Sequence, residues 1–249
     1  MLEIKNLHAR LSRRSILQGV DLTLTPHTLT AVVGKNGCGK STLVGCIGQT
    51  TPYMGEILFS GRNLALMPPR ERASLVSILP QTLHAPHITV RELVTLGRSP
   101  YIDIAHHLTA NDRAAVDHAL EIIGIADLSA AYVDTLSGGE RQKAYLAMTL
   151  AQDTRLLILD EPTTYMDMAY EQSFLSLLTT LHRRHKKTLL VVMHDLTQAV
   201  RHADHIAVMD DGHIVFCGTT KECLAANVLE QTFAVRRHAS GERIFFTAD

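Results

Sequence analysis

Apolar residues near the N-terminus recur in short groups that alternate with polar ones: Leu2-Glu3-Ile4, then Val20-Asp21-Leu22-Thr23-Leu24, then Leu29-Thr30-Ala31-Val32-Val33. A period of two places one face of an extended segment in a core, so residues 2–33 predict a β-rich opening, with Leu29 to Val33 as a buried strand. Ser41 to Ile47 predicts the first turns of a helix. Gly55-Glu56-Ile57-Leu58-Phe59 with Gly61 predicts a strand and a turn, and Val76-Ser77-Ile78-Leu79 predicts a strand that leads into Pro80-Gln81.

From about Thr82 to Thr135 the period becomes helical. Thr109-Ala110-Asn111-Asp112 resembles a capping box with Asp in place of Glu, and Val116, Ala119, Leu120 and Ile123 follow at helical spacing before Gly124. This segment predicts an inserted helical lobe. Leu156-Leu157-Ile158-Leu159 is a continuous apolar run suited to a central parallel strand covered on both faces. Phe174, Leu177, Leu178 and Leu181 form one predicted helix face, closed by the basic residues Arg183, Arg184, Lys186 and Lys187. Leu189 to Met193 is the next buried strand, with His194-Asp195 at its end, and Asp211-Gly212 marks a final hairpin. Strands alternating with helices make this an α/β chain.

Composition narrows the partners. With 249 residues and 46% hydrophobic content, the chain can bury a large core as one domain or two closely joined lobes. Its 24 Lys plus Arg are matched by 25 Asp plus Glu, which argues against nucleic acid as a partner. No apolar run approaches the roughly 18 residues of a membrane span, and Met1 to Lys5 lacks a signal-peptide core, so a cytoplasmic location is expected. The four cysteines, at 38, 46, 217 and 223, show no metal-type spacing and are expected to be reduced thiols.

The chemistry centres on Gly34-Lys35-Asn36-Gly37-Cys38-Gly39-Lys40-Ser41, a glycine and four free positions followed by Gly-Lys-Ser, set between a predicted strand and a predicted helix. The glycines let backbone N–H groups turn inward, and the helix start adds partial positive charge, so the loop through Thr42 is a phosphate cradle. Lys40 can reach the β- and γ-phosphates, and the Ser41 hydroxyl can ligate Mg²⁺.

Asp160 and Glu161 end the 156–159 strand, where ligands of parallel sheets bind. Asp160 suits the outer shell of Mg²⁺, and Glu161 can orient or deprotonate the water that attacks the γ-phosphate. Leu136-Ser137-Gly138-Gly139-Glu140 offers a hydroxyl and two glycine N–H groups at a helix start, which can bind a phosphate or simply cap the helix.

With these motifs the sequence resembles an ATP-binding cassette (ABC) ATPase. Gln81, Leu136 to Glu140, Asp160-Glu161-Pro162-Thr163, Asp167 and His194 occur in the family's order, from about Leu2 to Phe233. The resemblance implies a P-loop NTPase core with a mixed, largely parallel sheet, an N-terminal antiparallel β subdomain and an inserted α-helical lobe. Core and β subdomain would take about 1–81 and 136–249, and the lobe about 82–135. It also implies a homodimer closed head-to-tail around two ATP molecules. Ser137, Gly138, Gly139 and Glu140 would contact the opposing nucleotide, and Asp167 would align the opposing site. Gln81 would sense Mg²⁺ and the lytic water, and His194 would contact the γ-phosphate. A GTPase or small-molecule kinase would account for the phosphate loop but not for Gln81 or Leu136 to Glu140.

Thr89 to Val94 running into Gly97-Arg98-Ser99-Pro100-Tyr101, together with Leu79-Pro80-Gln81 and Glu161-Pro162-Thr163-Thr164-Tyr165, resembles the ATPases of bacterial importers for iron–siderophore complexes, haem and vitamin B12. That resemblance implies integral membrane permease subunits as partners, a substrate-binding protein acting indirectly, and a peripheral place on the cytoplasmic face of the inner membrane. Iron–siderophore is the expected cargo, with haem, vitamin B12 or a soluble non-transport role as alternatives. One position departs from the family: Leu11 falls where an aromatic residue usually stacks on adenine, and no aromatic occurs between Met1 and Pro52. Fourteen histidines include the pairs His84/His87, His106/His107, His182/His185 and His202/His205, but none has a third ligand at metal spacing, so most are expected to be solvated.

Overall fold

The computed structural model describes residues 1–12, 14–102, 107–164, 166–241 and 243–248. His106 and Tyr165, singled out above, lie outside the described residues. In chain order the first half forms β1 (Leu2–Leu11), β2 (Arg14–Thr23), β3 (Leu29–Gly34), α1 (Lys40–Ile47), β4 (Tyr53–Phe59), β5 (Arg62–Asn63), α2 (Pro69–Leu75), β6 (Val76–Leu79), α3 (Val90–Leu96) and α4 (Ala110–Ile123). The second half forms α5 (Gly138–Ala151), β7 (Leu156–Asp160), α6 (Met168–Arg183), β8 (Thr188–Val192), α7 (Leu196–His202), β9 (His205–Asp210), β10 (His213–Thr219), α8 (Thr220–Ala225), α9 (Val228–Phe233), β11 (Val235–Ser240) and β12 (Arg243–Ala248). Two compact units result, one of residues 1–67 with 179–249 and one of residues 68–178.

In the first unit β1 pairs antiparallel with β2 and β4. Its buried side chains are Leu2, Ile4, Leu7 and Ala9. The alternation slips by one between Ile4 and Leu7, where the register shifts and Asn6 takes φ 48°. This bulge keeps both halves of a long strand facing one core. The Asp21 carboxylate holds it by accepting the Asn6 N–H at 2.8 Å. A second sheet places β3 parallel to both β8 and β9, and β10 returns antiparallel on β9. Every residue of β3 and β8 is buried, as expected for strands covered on both faces. The Asp211-Gly212 turn has φ 41° and 81°, the left-handed pair that a two-residue hairpin requires.

In the second unit β6 and β7 pair in parallel, Val76 opposite Leu156 through Leu79 opposite Leu159. Capping boxes start α3 at Thr89/Glu92, α4 at Thr109/Asp112 and α5 at Ser137/Glu140. Val116, Ala119, Leu120 and Ile123 are buried on α4, and Gly124 ends it in the left-handed conformation. The chain is thus an α/β fold with a largely parallel sheet, an antiparallel N-terminal sheet and a helical segment.

Three local expectations need correction. The helical texture starts at Val90 rather than Thr82. The buried face of α6 uses Phe174, Leu175, Leu178 and Leu181, with Leu177 only half-buried, because a stripe at 3.6-residue period drifts round the helix. The basic run leaves α6 after Arg183, and Lys186 already has φ 54°. Most described histidines are exposed, as expected; His182 is buried, its Nδ1 3.4 Å from Asp204 Oδ2, since its position falls on the covered side of α6.

Candidate active site

The phosphate loop lies in the first unit, between the end of β3 and the start of α1. Gly34 must be bare: a Cβ there would lie 2.5 Å from the Met209 carbonyl oxygen and 2.6 Å from Cys38 Sγ. Gly39 caps α1 with φ 110°, a region closed to other residues. The first turn of α1 carries no acidic residue of its own to oppose its N-terminal partial charge. Lys40 is buried, and its Nζ donates to the carbonyls of Gly34 at 2.8 Å and Lys35 at 3.2 Å. The ammonium is therefore held against the loop rather than ranging through solvent. Lys35, Asn36, Gly37 and Ser41 are exposed and Thr42 is half-buried. Burial pushes the Cys38 thiol up, with Lys40 opposing, so this cysteine is a neutral packing group.

The hairpin turn between β9 and β10 supports this loop. Gly212 N–H donates to the Cys38 carbonyl at 3.2 Å, the Gly212 carbonyl accepts from Gln18 N–H at 2.9 Å, and Gln18 Nε2 donates to the Asp211 carbonyl at 3.1 Å. The turn residues read in sequence as a hairpin alone; their service to a loop more than 170 positions away carries no local signal. His194 is exposed beyond β8, and Asp195 caps α7 by accepting the Gln198 N–H at 3.0 Å. Leu11 is half-exposed at the end of β1, opposite Arg14.

In the second unit the strand register brings two candidate residues together. Leu79 pairs with Leu159, so Gln81 and Glu161 each stand two residues past the paired ends. Gln81 Nε2 donates to Glu161 Oε2 at 2.6 Å. Glu161 has φ 49°, a left-handed residue that turns the chain immediately after Asp160, the buried last residue of β7. Strained residues of this kind are common at functional sites.

Ser137 caps α5. Its N–H and hydroxyl donate to Glu140 Oε2 at 2.9 and 2.6 Å, while its Oγ accepts from Glu140 N–H at 3.3 Å. These bonds from Ser137 hold the Glu140 carboxyl below its usual range. A Cβ on Gly138 would meet nothing, whereas one on Gly139 would lie 2.5 Å from the Tyr170 ring. Asp167 is exposed and accepts the Tyr170 N–H at 2.9 Å, opening α6. Gln81, Gly138, Arg141 and Met166 help line a cavity of about 430 Å³.

Of the oxygen donors expected from the sequence for a cation, the Ser41 hydroxyl belongs to the first unit, and the Asp160 carboxylate and Gln81 amide belong to the second. Hard oxygen ligands of this kind suit Mg²⁺. Among the described residues no group of three or more His, Cys, Asp or Glu side chains gathers to hold a metal ion.

Comparison with known proteins matches residues 17–164 to the ABC transporter family model. A probable siderophore transport system ATP-binding protein of Bacillus subtilis is 37% identical over 234 residues, 93% of this chain and 85% of the relative. A ferric enterobactin transport ATP-binding protein of Escherichia coli is 38% identical over 224 residues, 89% of this chain and 83% of the relative. Among solved structures, a chain from a metal-chelate type ABC transporter in an inward-facing conformation aligns with a TM-score of 0.83 at 25% identity, covering 98% of this chain and 95% of that one.

Proposed function

The chain belongs to the ABC transporter family of ATP-binding proteins, and on that premise we propose that it is the ATPase subunit of a bacterial importer for an iron–siderophore complex. The observation that carries the cargo class is the likeness to siderophore and ferric enterobactin transport proteins along roughly nine-tenths of the chain. Two copies work with integral membrane permease subunits at the cytoplasmic face of the membrane, and a binding protein delivers cargo to the permease. Among the described residues no helix is long and apolar enough to cross a membrane, which fits a peripheral subunit.

In this reading the loop amides from Gly34 to Thr42 and the α1 N-terminus hold the phosphates of ATP. Lys40, already held at the loop, adds a charge that grips the β- and γ-phosphates and offsets charge developing in transfer. Ser41, Asp160 and Gln81 would supply oxygens to hold Mg²⁺, which would add positive charge that lowers phosphate repulsion. Glu161 orients and deprotonates the attacking water, and the 2.6 Å bond from Gln81 holds that carboxylate in one rotamer. His194 contacts the γ-phosphate. Ser137, Gly138 and Gly139 meet the nucleotide of the opposing subunit, and Asp167 lies along that junction. Glu140 acts through Ser137, since the cap uses its carboxylate.

The test is growth. A strain lacking this chain should fail to use one ferric siderophore as sole iron source while using simple iron salts normally, and Glu161→Gln should not restore growth. Normal use of every siderophore by the deletion strain sinks the cargo assignment. Restored uptake with Glu161→Gln sinks the role of that carboxylate.

A further inference from the structure

The segment Gly97-Arg98-Ser99-Pro100-Tyr101 has no place in the nucleotide chemistry, yet it makes some of the most buried polar contacts in the second unit. Arg98 is 8% exposed. Its Nε donates to Asp112 Oδ1 at 2.9 Å, and its Nη1 donates to the Ala151 carbonyl at 2.7 Å. The Tyr101 ring lies 4.0 Å from the guanidinium carbon, and its hydroxyl donates to the Gln152 carbonyl at 3.0 Å.

Both carbonyls belong to the C-terminal end of α5, whose last turn carries no basic residue of its own. Helix C-termini leave carbonyls unpaired and favour a positive charge nearby; here another element supplies both the donors and the charge. Gly97 makes the approach possible, because a Cβ there would stand 2.2 Å from the Met148 carbonyl oxygen of α5. The other end of the clamp is equally fixed: Asp112 gives Oδ1 to Arg98 and Oδ2 to Thr109, whose N–H and hydroxyl donate at 3.0 and 2.6 Å. From α5 the connection continues through Gln152, whose Nε2 donates to the Ala73 carbonyl of α2 at 2.6 Å and to the Val76 carbonyl at the start of β6 at 3.3 Å. The strand β6 leads to Gln81, and the N-cap of α5 is Ser137.

We propose that Arg98, with Gly97 and Tyr101, forms a positioning clamp that locks the C-terminal end of α5 and thereby fixes Ser137 and Gln81 for ATP hydrolysis. The clamp touches no nucleotide and acts through those residues. A helix is stiff along its axis, so holding one end of a 14-residue helix sets the placement of the cap at the other. Lysine in place of Arg98 has one ammonium on a flexible stem and cannot reproduce the planar fork that serves α4 and α5 at once. The proposal rests on the reading that Ser137 serves the opposing nucleotide.

The experiment measures kcat, ATP affinity of the subunit and thermal midpoint for Arg98→Lys, Tyr101→Phe and Ser137→Arg in the assembled transporter. Arg98→Lys should lower kcat about tenfold, at a temperature well below its midpoint, part of the roughly 100-fold that a misplacement of about 1 Å can cost. ATP affinity should stay within about twofold, because the phosphate loop is untouched. Tyr101→Phe keeps the ring under the guanidinium and removes one hydroxyl from a partly exposed side chain, so it should fold and lose a smaller part of kcat. Unaltered kcat in both clamp variants beside an inactive Ser137→Arg overturns the clamp alone. A kcat loss that tracks the thermal midpoint and vanishes on cooling overturns it in favour of a purely structural role. Normal turnover by Ser137→Arg overturns the signature reading and the clamp with it.

Discussion

Replacing Gly212 with alanine tests whether the β9–β10 turn supports the phosphate loop. Two penalties combine there. Gly212 has φ 81°, and a residue with a Cβ in the left-handed region costs about 1–2 kcal/mol. The new Cβ would also lie 2.4 Å from the Ile16 carbonyl oxygen, a backbone atom of β2. Closest comfortable C···O approach is about 3.3 Å, so turn and strand must part by roughly 0.9 Å. Overpacking of this kind costs about 1–3 kcal/mol, for a total near 2–5 kcal/mol. At about 2–4 °C per kcal/mol for a chain of this size, the midpoint should fall by about 4–20 °C. Gly61→Ala is the matched control, because Gly61 has φ 80° but a Cβ there would meet nothing within 4 Å. It should show only the first penalty, about 1–2 kcal/mol. Movement of Gly212 also strains its bond to the Cys38 carbonyl, so ATP affinity should fall severalfold in Gly212→Ala and stay unchanged in Gly61→Ala. Thermal melts and nucleotide titrations measure both. Equal midpoints and equal ATP affinity for the two variants would refute the support.

Lys40→Ala should weaken ATP binding and turnover together, since the charge helps ground and transition states alike; normal hydrolysis would count against its role. Leu11→Tyr should tighten ATP binding by about 5- to 150-fold, the equivalent of about 1–3 kcal/mol of base stacking, and leave the chemical step alone; unchanged affinity in a nucleotide titration would remove Leu11 from the adenine site. Burial holds the His182 imidazole below its usual pKa, partly opposed by Asp204. A depressed folded pKa means the neutral ring is preferred on folding, so this stability is complete above about pH 6.5 and is lost as pH falls below it. His182→Gln should therefore flatten the decline of the thermal midpoint on going from about pH 7 to 5, and an unchanged slope would show that the ring does not set it.

What the sequence determined by itself is whatever a short stretch of backbone decides. The phosphate loop is legible because its glycines and lysine act within one turn between a strand and a helix. The capping boxes at Thr109 and Ser137 are legible because donor and acceptor lie three residues apart. Asp160 and Glu161 announce themselves by ending an apolar run. Only the tertiary structure decided the rest. It paired Gln81 with Glu161 through a strand register that neither segment encodes alone, and it set Gly212 against a loop from the other end of the chain. It also buried Arg98, which the sequence offers only as part of a motif of resemblance, and His182, one of many histidines. The bulge at Asn6 hid the long strand β1 by breaking its alternation. The division follows from range: propensities, caps and loop conformations act over a few residues, whereas burial and pairing depend on which distant segment the fold brings alongside.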